Sequence, residues 1–322
     1  MSVGLKAEPA TVQEVSAELV RASARGEKGV AFTLGALARV LEYTPEDMTV
    51  AVEAGITLAA LQERLAQHGQ WLPIDPPNPT TTTVAEILNF NASGPRRFGY
   101  GTIREHLLGI TVVLADGRII HGGGKVVKNV AGYDLCKLFV GSRGSLGVIV
   151  EATFKVRPVS ETERFVAAHC GSLAEADALL EAIHRSQLRP AVLDLHNLAL
   201  SPVGGVIPGQ IVLGLAGTRE EVEWQWDKAR AMGLTAETDL HYEQTFWNAT
   251  QAGPPQRISV LPSRLTVVLQ NLGASEFVAR AGNGVIDYRG GTPPPPPPEL
   301  PQALMRRIKD AYDPKHLFPV LS

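Results

Sequence analysis

The chain has 322 residues, a net charge of −3 and a pI near 6.3; 44% of its residues are hydrophobic and the mean hydropathy is +0.02. Such a composition supports packed cores and excludes bulk disorder, and the length suggests about two domains. It leaves no basic excess for a general nucleic-acid binder and no run long enough to cross a bilayer.

Cys136 and Cys170 stand alone, so neither a disulfide framework nor a complete zinc or iron–sulfur site is available. Residues 1–9 hold no apolar core of signal-peptide length, and a cytoplasmic chain is expected.

In chain order, Thr11-Val12-Gln13-Glu14 is a capping-box pattern that opens a helix ending near Gly26. Short apolar runs follow at residues 30–34 and 40–43, and residues 48–54 alternate as a strand with Val50 and Val52 on one face. Thr57 caps a second helix with Leu58, Leu61 and Leu65 as its apolar stripe, ending at Gly69. The prolines of residues 71–79 remove donors and fix the backbone, giving either a rigid binding wall or a plain connector. Residues 110–115 and 118–121 read as a hairpin around Asp116-Gly117, a favoured two-residue turn. A short helix is expected over 132–140 and a long strand over 146–158, its Val148, Val150, Ala152, Phe154 and Val156 facing one way.

Beyond residue 160 the pattern becomes strand, helix, strand, strand, helix, and residues 257–289 echo it with a strand, a helix and two strands. This predicts a small α+β sandwich with helices against an antiparallel sheet. Six consecutive prolines at 293–298 read as a stiff spacer, and a last helix is expected over 299–312.

Glycine is concentrated where chemistry is most expected. Residues 91–147 hold 12 of the 31 glycines, and between Asn91 and Lys128 six basic residues (Arg96, Arg97, Arg104, Arg118, Lys125, Lys128) face two acids, Glu105 and Asp116. Such a segment suits main-chain N–H groups approaching a bulky anion such as a dinucleotide diphosphate, or else a set of tight turns in a mixed sheet. Gly122-Gly123-Gly124-Lys125-Val126 lacks the Ser or Thr and the upstream glycine of a nucleotide-triphosphate loop. Residues 141–147 have the wrong spacing for a Rossmann fingerprint, and a strand follows them. The eight histidines are scattered without metal-site spacing. Trp224 and Trp226, with Phe246-Trp247, read as packing of the second domain or as a subunit interface.

Several blocks arrive in a familiar order: Asp75-Pro76-Pro77; Asn91-Ala92-Ser93-Gly94-Pro95-Arg96-Arg97; Tyr100-Gly101; Leu108-Gly109; and Val112-Val113-Leu114-Ala115-Asp116-Gly117. They are followed by Val126-Val127-Lys128-Asn129-Val130-Ala131-Gly132-Tyr133-Asp134 and Gly141-Ser142-Arg143-Gly144-Ser145-Leu146-Gly147-Val148-Ile149. Together they resemble the FAD-binding domain of the vanillyl-alcohol oxidase/p-cresol methylhydroxylase (PCMH) type. The likeness is nearest to the small FAD-binding subunits of glycolate oxidases (glycolate dehydrogenases), and its strong part covers residues 40–160.

The resemblance implies an α+β chain: a two-subdomain FAD-binding domain over 1–160, then a smaller ferredoxin-like domain over 161–322 that includes the proline spacer and C-terminal helix. It implies non-covalent FAD lying between two subdomains. Carried over by position, Pro77, Thr83, Ser93, Gly94, Tyr100, Gly101 and Thr102 would line the diphosphate and ring. Gly147, Val148 and Ile149 would offer backbone atoms near the adenine. Arg96 and Arg97 would stabilise negative charge on reduced flavin or a bound carboxylate, or would contact a neighbouring subunit. The implied partners are a larger FAD-containing catalytic subunit and an iron–sulfur subunit, in a cytoplasmic complex or one peripheral to the inner membrane.

Two departures bear on the cofactor. The family's glycine-rich first loop corresponds here to residues 30–37, with one glycine, and its Thr-Ile-Gly-Gly second grip is replaced by Thr83-Val84-Ala85-Glu86. Thr83 and Glu86 form a capping box that satisfies the helix N-terminus internally, and the Glu86 carboxylate would repel a diphosphate. FAD binding is therefore expected to be weakened or lost. Two readings stand: an FAD-binding subunit that helps oxidise a 2-hydroxy acid such as glycolate, or a non-catalytic scaffold of the same fold. No residue is identified as a catalytic base.

Overall fold

The computed structural model describes residues 6–124, 134–198, 207–249, 253–292 and 302–320. Lys125, Lys128, most of the 126–134 block and the proline run lie outside the described residues. The chain forms two compact units: one built from the described residues of 1–93, 102–159 and 297–322, the other from 94–101 and 160–296. Thus the short segment 94–101 belongs with the second unit, and the C-terminal segment with the first.

In the first unit, β1 (Lys6–Ala7) and β2 (Ala31–Phe32) pair in parallel across helix α1 (Val12–Arg25). Thr11 caps α1 by accepting the Glu14 amide at 3.1 Å, and Gly26 ends it in the left-handed region at φ +71°. There follow β3 (Val40–Thr44), β4 (Thr49–Glu53), α2 (Leu58–Ala66), β5 (Gln70–Trp71) and α3 (Val84–Phe90). Trp71 therefore starts the proline-rich stretch inside a two-residue strand.

The four-residue helix α4 (Arg97–Tyr100) lies in the second unit, and the chain then re-enters the first with α5 (Ile103–His106), β6 (Leu107–Val113), β7 (Ile119–Gly123) and α6 (Leu135–Phe139). Strand β8 (Val148–Lys155) completes a five-stranded antiparallel sheet of order β3-β4-β8-β6-β7, and β9 (Arg157–Pro158) pairs with β5. Its apolar face carries Val50, Val52, Ile110, Val112, Val150, Ala152 and Phe154, all buried with the stripes of α1, α2 and α3.

The β6–β7 connection is a three-residue loop, not a two-residue one. Gly117 N–H bonds to Leu114 O, Leu114 N–H bonds to Arg118 O, and Gly117 takes φ +84°. This is a hydrogen-bonded turn closed by a left-handed glycine, which lets the right-handed strand twist continue.

The second unit continues with β10 (Thr162–Cys170), α7 (Leu173–Arg185), β11 (Val192–His196), β12 (Gly209–Gly217), α8 (Arg219–Ala231), β13 (Ala236–Glu237) and α9 (His241–Asn248). After them come β14 (Gln256–Ser259), α10 (Leu265–Leu272), β15 (Glu276–Arg280) and β16 (Val285–Arg289). The sheet order is β13-β10-β12-β11-β15-β16-β14, with antiparallel neighbours throughout. Stripes of α7, α8 and α10 pack with Leu193, Leu195, Leu213, Leu215, Phe277 and Tyr288 on one face, burying Trp226. The opposite face buries Val212 and Val278 beneath Tyr242 and Phe246 of α9, a helix whose weak apolar pattern the sequence reading passed over.

Helix α11 (Gln302–Tyr312) belongs to the first unit. Its Lys309 ammonium donates to Ser145 O at 2.7 Å, to the Asp313 carboxylate at 2.6 Å and to Phe318 O at 3.3 Å. Asp313, fully buried, also accepts the amides of Leu317 and Phe318. This knot pins the chain's last described turn to the loop before β8.

Candidate FAD site

The surroundings of α3 carry the residues singled out from the sequence. The Thr83 hydroxyl accepts the Glu86 amide at 3.3 Å and donates to the Glu86 carboxylate at 3.0 Å, while the Thr83 amide donates to that carboxylate at 2.8 Å. The next two amides are also used: Val84 N–H goes to Ile56 O at 2.9 Å and Ala85 N–H to Ala54 O at 2.7 Å. The first turn of α3 therefore has no donor left for an anion, as the capping pattern implied. Thr102 repeats the arrangement at α5, its amide and hydroxyl both donating to Glu105. Neither threonine has a free hydroxyl proton for a phosphate, and that role has to fall elsewhere.

Open donors lie beside α3. The 33–37 turn sits against Gly55, where a Cβ would lie 1.8 Å from Leu34 O, and Gly55 N–H bonds to Leu37 O at 2.9 Å. Only glycine permits that approach. The amides of Leu34, Gly35 and Ala36 take no acceptor among the described residues, and Gly35 and Ala36 are exposed. Consecutive unpaired amides in a turn form an anion-binding concavity. The single-glycine loop thus keeps the donors that α3 lacks.

At the other end of α3, polar atoms are buried without partners. Leu88 O and Asn89 O accept the amides of Gly141 and Arg143 at 2.8 and 2.9 Å, tying the 139–145 loop to the helix end. Among the described residues, the Asn89 and Asn91 carboxamide oxygens and the Ser142 hydroxyl along this seam, and the Ser93 hydroxyl two positions beyond Asn91, are buried with no hydrogen-bond partner. Ser93 is 8% exposed. Each such group costs roughly 1–3 kcal/mol if left unsatisfied, so a cluster of four marks a place where a polar ligand or water belongs. Arg143 takes φ +53°, a conformation uncommon for side-chain-bearing residues, while Asn91, at φ +46°, is the left-handed cap that ends α3.

The remaining predicted residues divide between the units. In the first, Pro77 O accepts from Thr82 Oγ1 at 3.0 Å. Gly147 is small for packing: a Cβ there would meet Val112 Cγ1 at 2.7 Å and Val113 O at 3.1 Å. Val148 and Ile149 start β8 opposite Val113 and Val112, next to a register shift in the β6–β8 pairing, and Val150 O accepts the Ala54 amide at 2.8 Å as the β4–β8 pairing continues. In the second unit, Gly94 O accepts the Arg97 amide and Tyr100 Oη lies 3.2 Å from Ser160 Oγ. Gly101, at φ +88°, ends α4 there. Arg96 is held by Glu163 through a fork of 2.9 and 2.5 Å, so its charge is already met.

Asp134 caps α6 by accepting the Lys137 amide and pairs with Arg104. Burial pushes the Asp134 carboxyl up, but the Lys137 amide and Arg104 outweigh it and hold it below the usual range.

The sequence reading missed a buried ionic cluster in the second unit. Tyr242 Oη donates to Asp194 at 2.6 Å, and Arg280 reaches Asp194 and forks onto Glu243 at 2.7 Å on both arms. His196 stacks on Tyr242 with ring centroids 4.6 Å apart. Burial pushes the fully enclosed Asp194 carboxyl up to about 7 against the pull of Arg280, and burial lowers His196 to about 4. The cluster fastens α9 to the sheet. Among the described residues no group of three or more His, Cys, Asp or Glu side chains could hold a metal ion, and no helix is long and apolar enough to cross a membrane.

A five-stranded antiparallel sheet with helices in one unit and a seven-stranded antiparallel sheet with helices in the other give the mixed α/β fold. Residues 7–123 match the family model described as an FAD binding domain.

Among curated relatives, the glycolate oxidase subunit GlcD of Bacillus subtilis (strain 168) is 34% identical over 168 residues, covering 52% of this chain and 36% of the relative. The subunit GlcE of Escherichia coli (strain K12) is 37% identical over 120 residues, 37% of this chain and 34% of the relative. A probable mitochondrial D-lactate dehydrogenase of Danio rerio is 41% identical over 137 residues, 42% and 27% of the two chains. The alignments thus span about a third of these relatives' length. Of solved structures, alkyldihydroxyacetonephosphate synthase superposes with a TM-score of 0.72 at 17% identity, covering 96% of this chain and 74% of the other, which is a likeness of fold.

Proposed function

We propose that the chain is the FAD-binding component of a 2-hydroxy-acid oxidoreductase of the glycolate or D-lactate type. The observation that carries this reading is the seam of four buried, unpartnered oxygens at Asn89, Asn91, Ser93 and Ser142, within a domain whose family takes FAD. The amides of Leu34, Gly35 and Ala36 would meet the diphosphate, supplying the donors that Thr83 and Thr102 spend on their own glutamates. Pro77, Ser93 and Thr102 of the first unit would line the flavin side. Gly147, Val148 and Ile149 would offer main-chain atoms to the adenine. When bound, FAD supplies the redox chemistry that converts a secondary or primary hydroxyl to a carbonyl. This chain's part is to hold it, exclude water and set its charge environment.

A larger flavin subunit and an iron–sulfur subunit are the proposed partners, in a cytoplasmic or peripherally membrane-attached complex; the GlcD and GlcE likenesses support this. The closed N-terminus of α3 favours a second reading, in which the chain keeps the fold as a scaffold without FAD. Purified chain, alone and co-expressed with such partners, should carry a visible flavin band that bleaches anaerobically on adding glycolate or D-lactate. A band that neither 2-hydroxy acid bleaches contradicts the substrate class, and colourless protein supports the scaffold.

A further inference from the structure

Helix α8 sets Glu220 beside Trp224 and Glu221 beside Gln225, each pair four positions apart on one side of the helix. With Arg189 from the loop after α7 and Ala216 near the end of β12, they line a pocket of about 490 Å³. All six residues lie in the second unit, whereas the residues proposed to hold FAD lie in the first. Gln225 is only 7% exposed, and its carboxamide has a fixed sense: the Arg189 N–H donates to Gln225 Oε1 at 2.7 Å. The acceptor end is thereby spent, and the Nε2 donor is left for the pocket, with no acceptor among the described residues. Two charges are unspent as well. The Arg189 guanidinium and the Glu220 carboxylate form no ion pair among the described residues, while Glu221 is turned back onto the Thr218 amide at 2.9 Å. Trp224, 43% exposed with Lys228 Nζ 5.6 Å from its ring centroid, supplies a flat apolar wall.

We infer that this pocket is a binding site for an α-amino acid with an aromatic side chain. Its carboxylate meets the Arg189 fork and Gln225 Nε2, its ammonium meets Glu220, and its ring lies against Trp224 and Ala216. A ligand of one charge answers only one side of the pocket: a plain carboxylate leaves Glu220 unmatched, and a plain amine leaves Arg189 and Gln225 unmatched. A few polar groups around an apolar wall are the general makeup of a small-molecule site.

The full chain is titrated with L-phenylalanine while the Trp224 indole N–H signal, identified by its loss in Trp224→Phe, is followed by NMR. A saturable shift in the millimolar range is expected, with a much weaker response to hydrocinnamate, which lacks the ammonium, and to phenethylamine, which lacks the carboxylate. Gln225→Glu keeps the acceptor for the Arg189 amide and puts a carboxylate oxygen where the donor was. That variant and the surface variant Arg189→Gln should each weaken L-phenylalanine binding about tenfold or more. No saturable shift at Trp224 in the wild type, affinity within about twofold in the folded variants, or an equal response to either single-charge analogue overturns the site. The FAD reading is tested by flavin uptake and is untouched by either result.

Discussion

Ser93 shows how a single hydroxyl can be read two ways. Among the described residues it has no hydrogen-bond partner, so removing it should cost the apo protein little; toward a ligand it offers a donor in a buried place. Ser93→Ala is expected to weaken FAD binding by about 1 kcal/mol or more, roughly five- to tenfold, with the apo melting temperature nearly unchanged. A fluorescence titration beside a thermal melt checks this, and a large stability loss with unaltered affinity would make Ser93 structural.

Ser93 was legible in the sequence because it sits in the Asn91–Arg97 block. Asn89 and Ser142 were not carried over, since only the fold lays the 139–145 loop along the end of α3. His196 was invisible for a similar reason: Tyr242, its stacking partner, is 46 positions away and reaches it only through α9.

His196 also gives the clearest pH signature at this scale. Its pKa is lowered to about 4 in the fold, so the unfolded chain binds the proton more readily between that value and the ordinary one near 6.5. Its contribution is full above the ordinary pKa and is lost as pH falls toward the folded one. Asp194, raised to about 7, has the opposite sign and loses stability as pH rises through that value. Relative to wild type, His196→Gln should therefore be less destabilised at pH 4.5 than at pH 7.5, by on the order of 2 kcal/mol. Paired urea denaturation curves at the two pH values measure it; an equal difference at both would show that His196 does not titrate as its burial demands.

At the level of elements, the helices were the most readable parts. Thr11, Thr57, Thr83, Ser172 and Thr218 each cap a helix by accepting the amide three residues on, a local pattern that needs no tertiary context. The same locality made the fate of α3 predictable, because Glu86 closes the capping box from within its own turn. The carbonyls of Ile56 and Ala54 that take the next two amides could not be read, nor could the open amides of the 33–37 turn. One depends on a loop packing across the helix, the other on Gly55 holding the turn down. The β6–β7 loop was placed correctly but a residue too short, since Asp116-Gly117 serves two- and three-residue hairpins alike.

The C-terminal knot carries a prediction of its own. Lys309 is buried and depends on Asp313 as its counter-charge, so Asp313→Ala leaves an ammonium without compensation and strips acceptors from the Leu317 and Phe318 amides. A loss of about 3–5 kcal/mol is expected. Chemical denaturation measures it, and a loss below about 1 kcal/mol would mean the tail contributes no more than an exposed pair.

Across the whole molecule, the longer strands and helices of both units followed from hydrophobic periodicity, α9 excepted, and the second sheet begins with β10 at Thr162, near the change of texture at residue 160. The two segments that cross that division, 94–101 and the C-terminal tail, had no compositional signature; their membership is decided by contacts of Phe98, Gly99 and Lys309 far along the chain. The proposed FAD uptake rests on the turn at 33–37 and on Ser93, because the donors at the N-terminus of α3 are spent on capping and on the carbonyls of Ile56 and Ala54. The most direct measurement is a calorimetric titration of flavin-free protein with FAD. Saturable uptake of one FAD per chain, with the flavin band appearing in step, is the predicted result; absence of binding heat and of any bound flavin would contradict the claim that these donors clasp the cofactor.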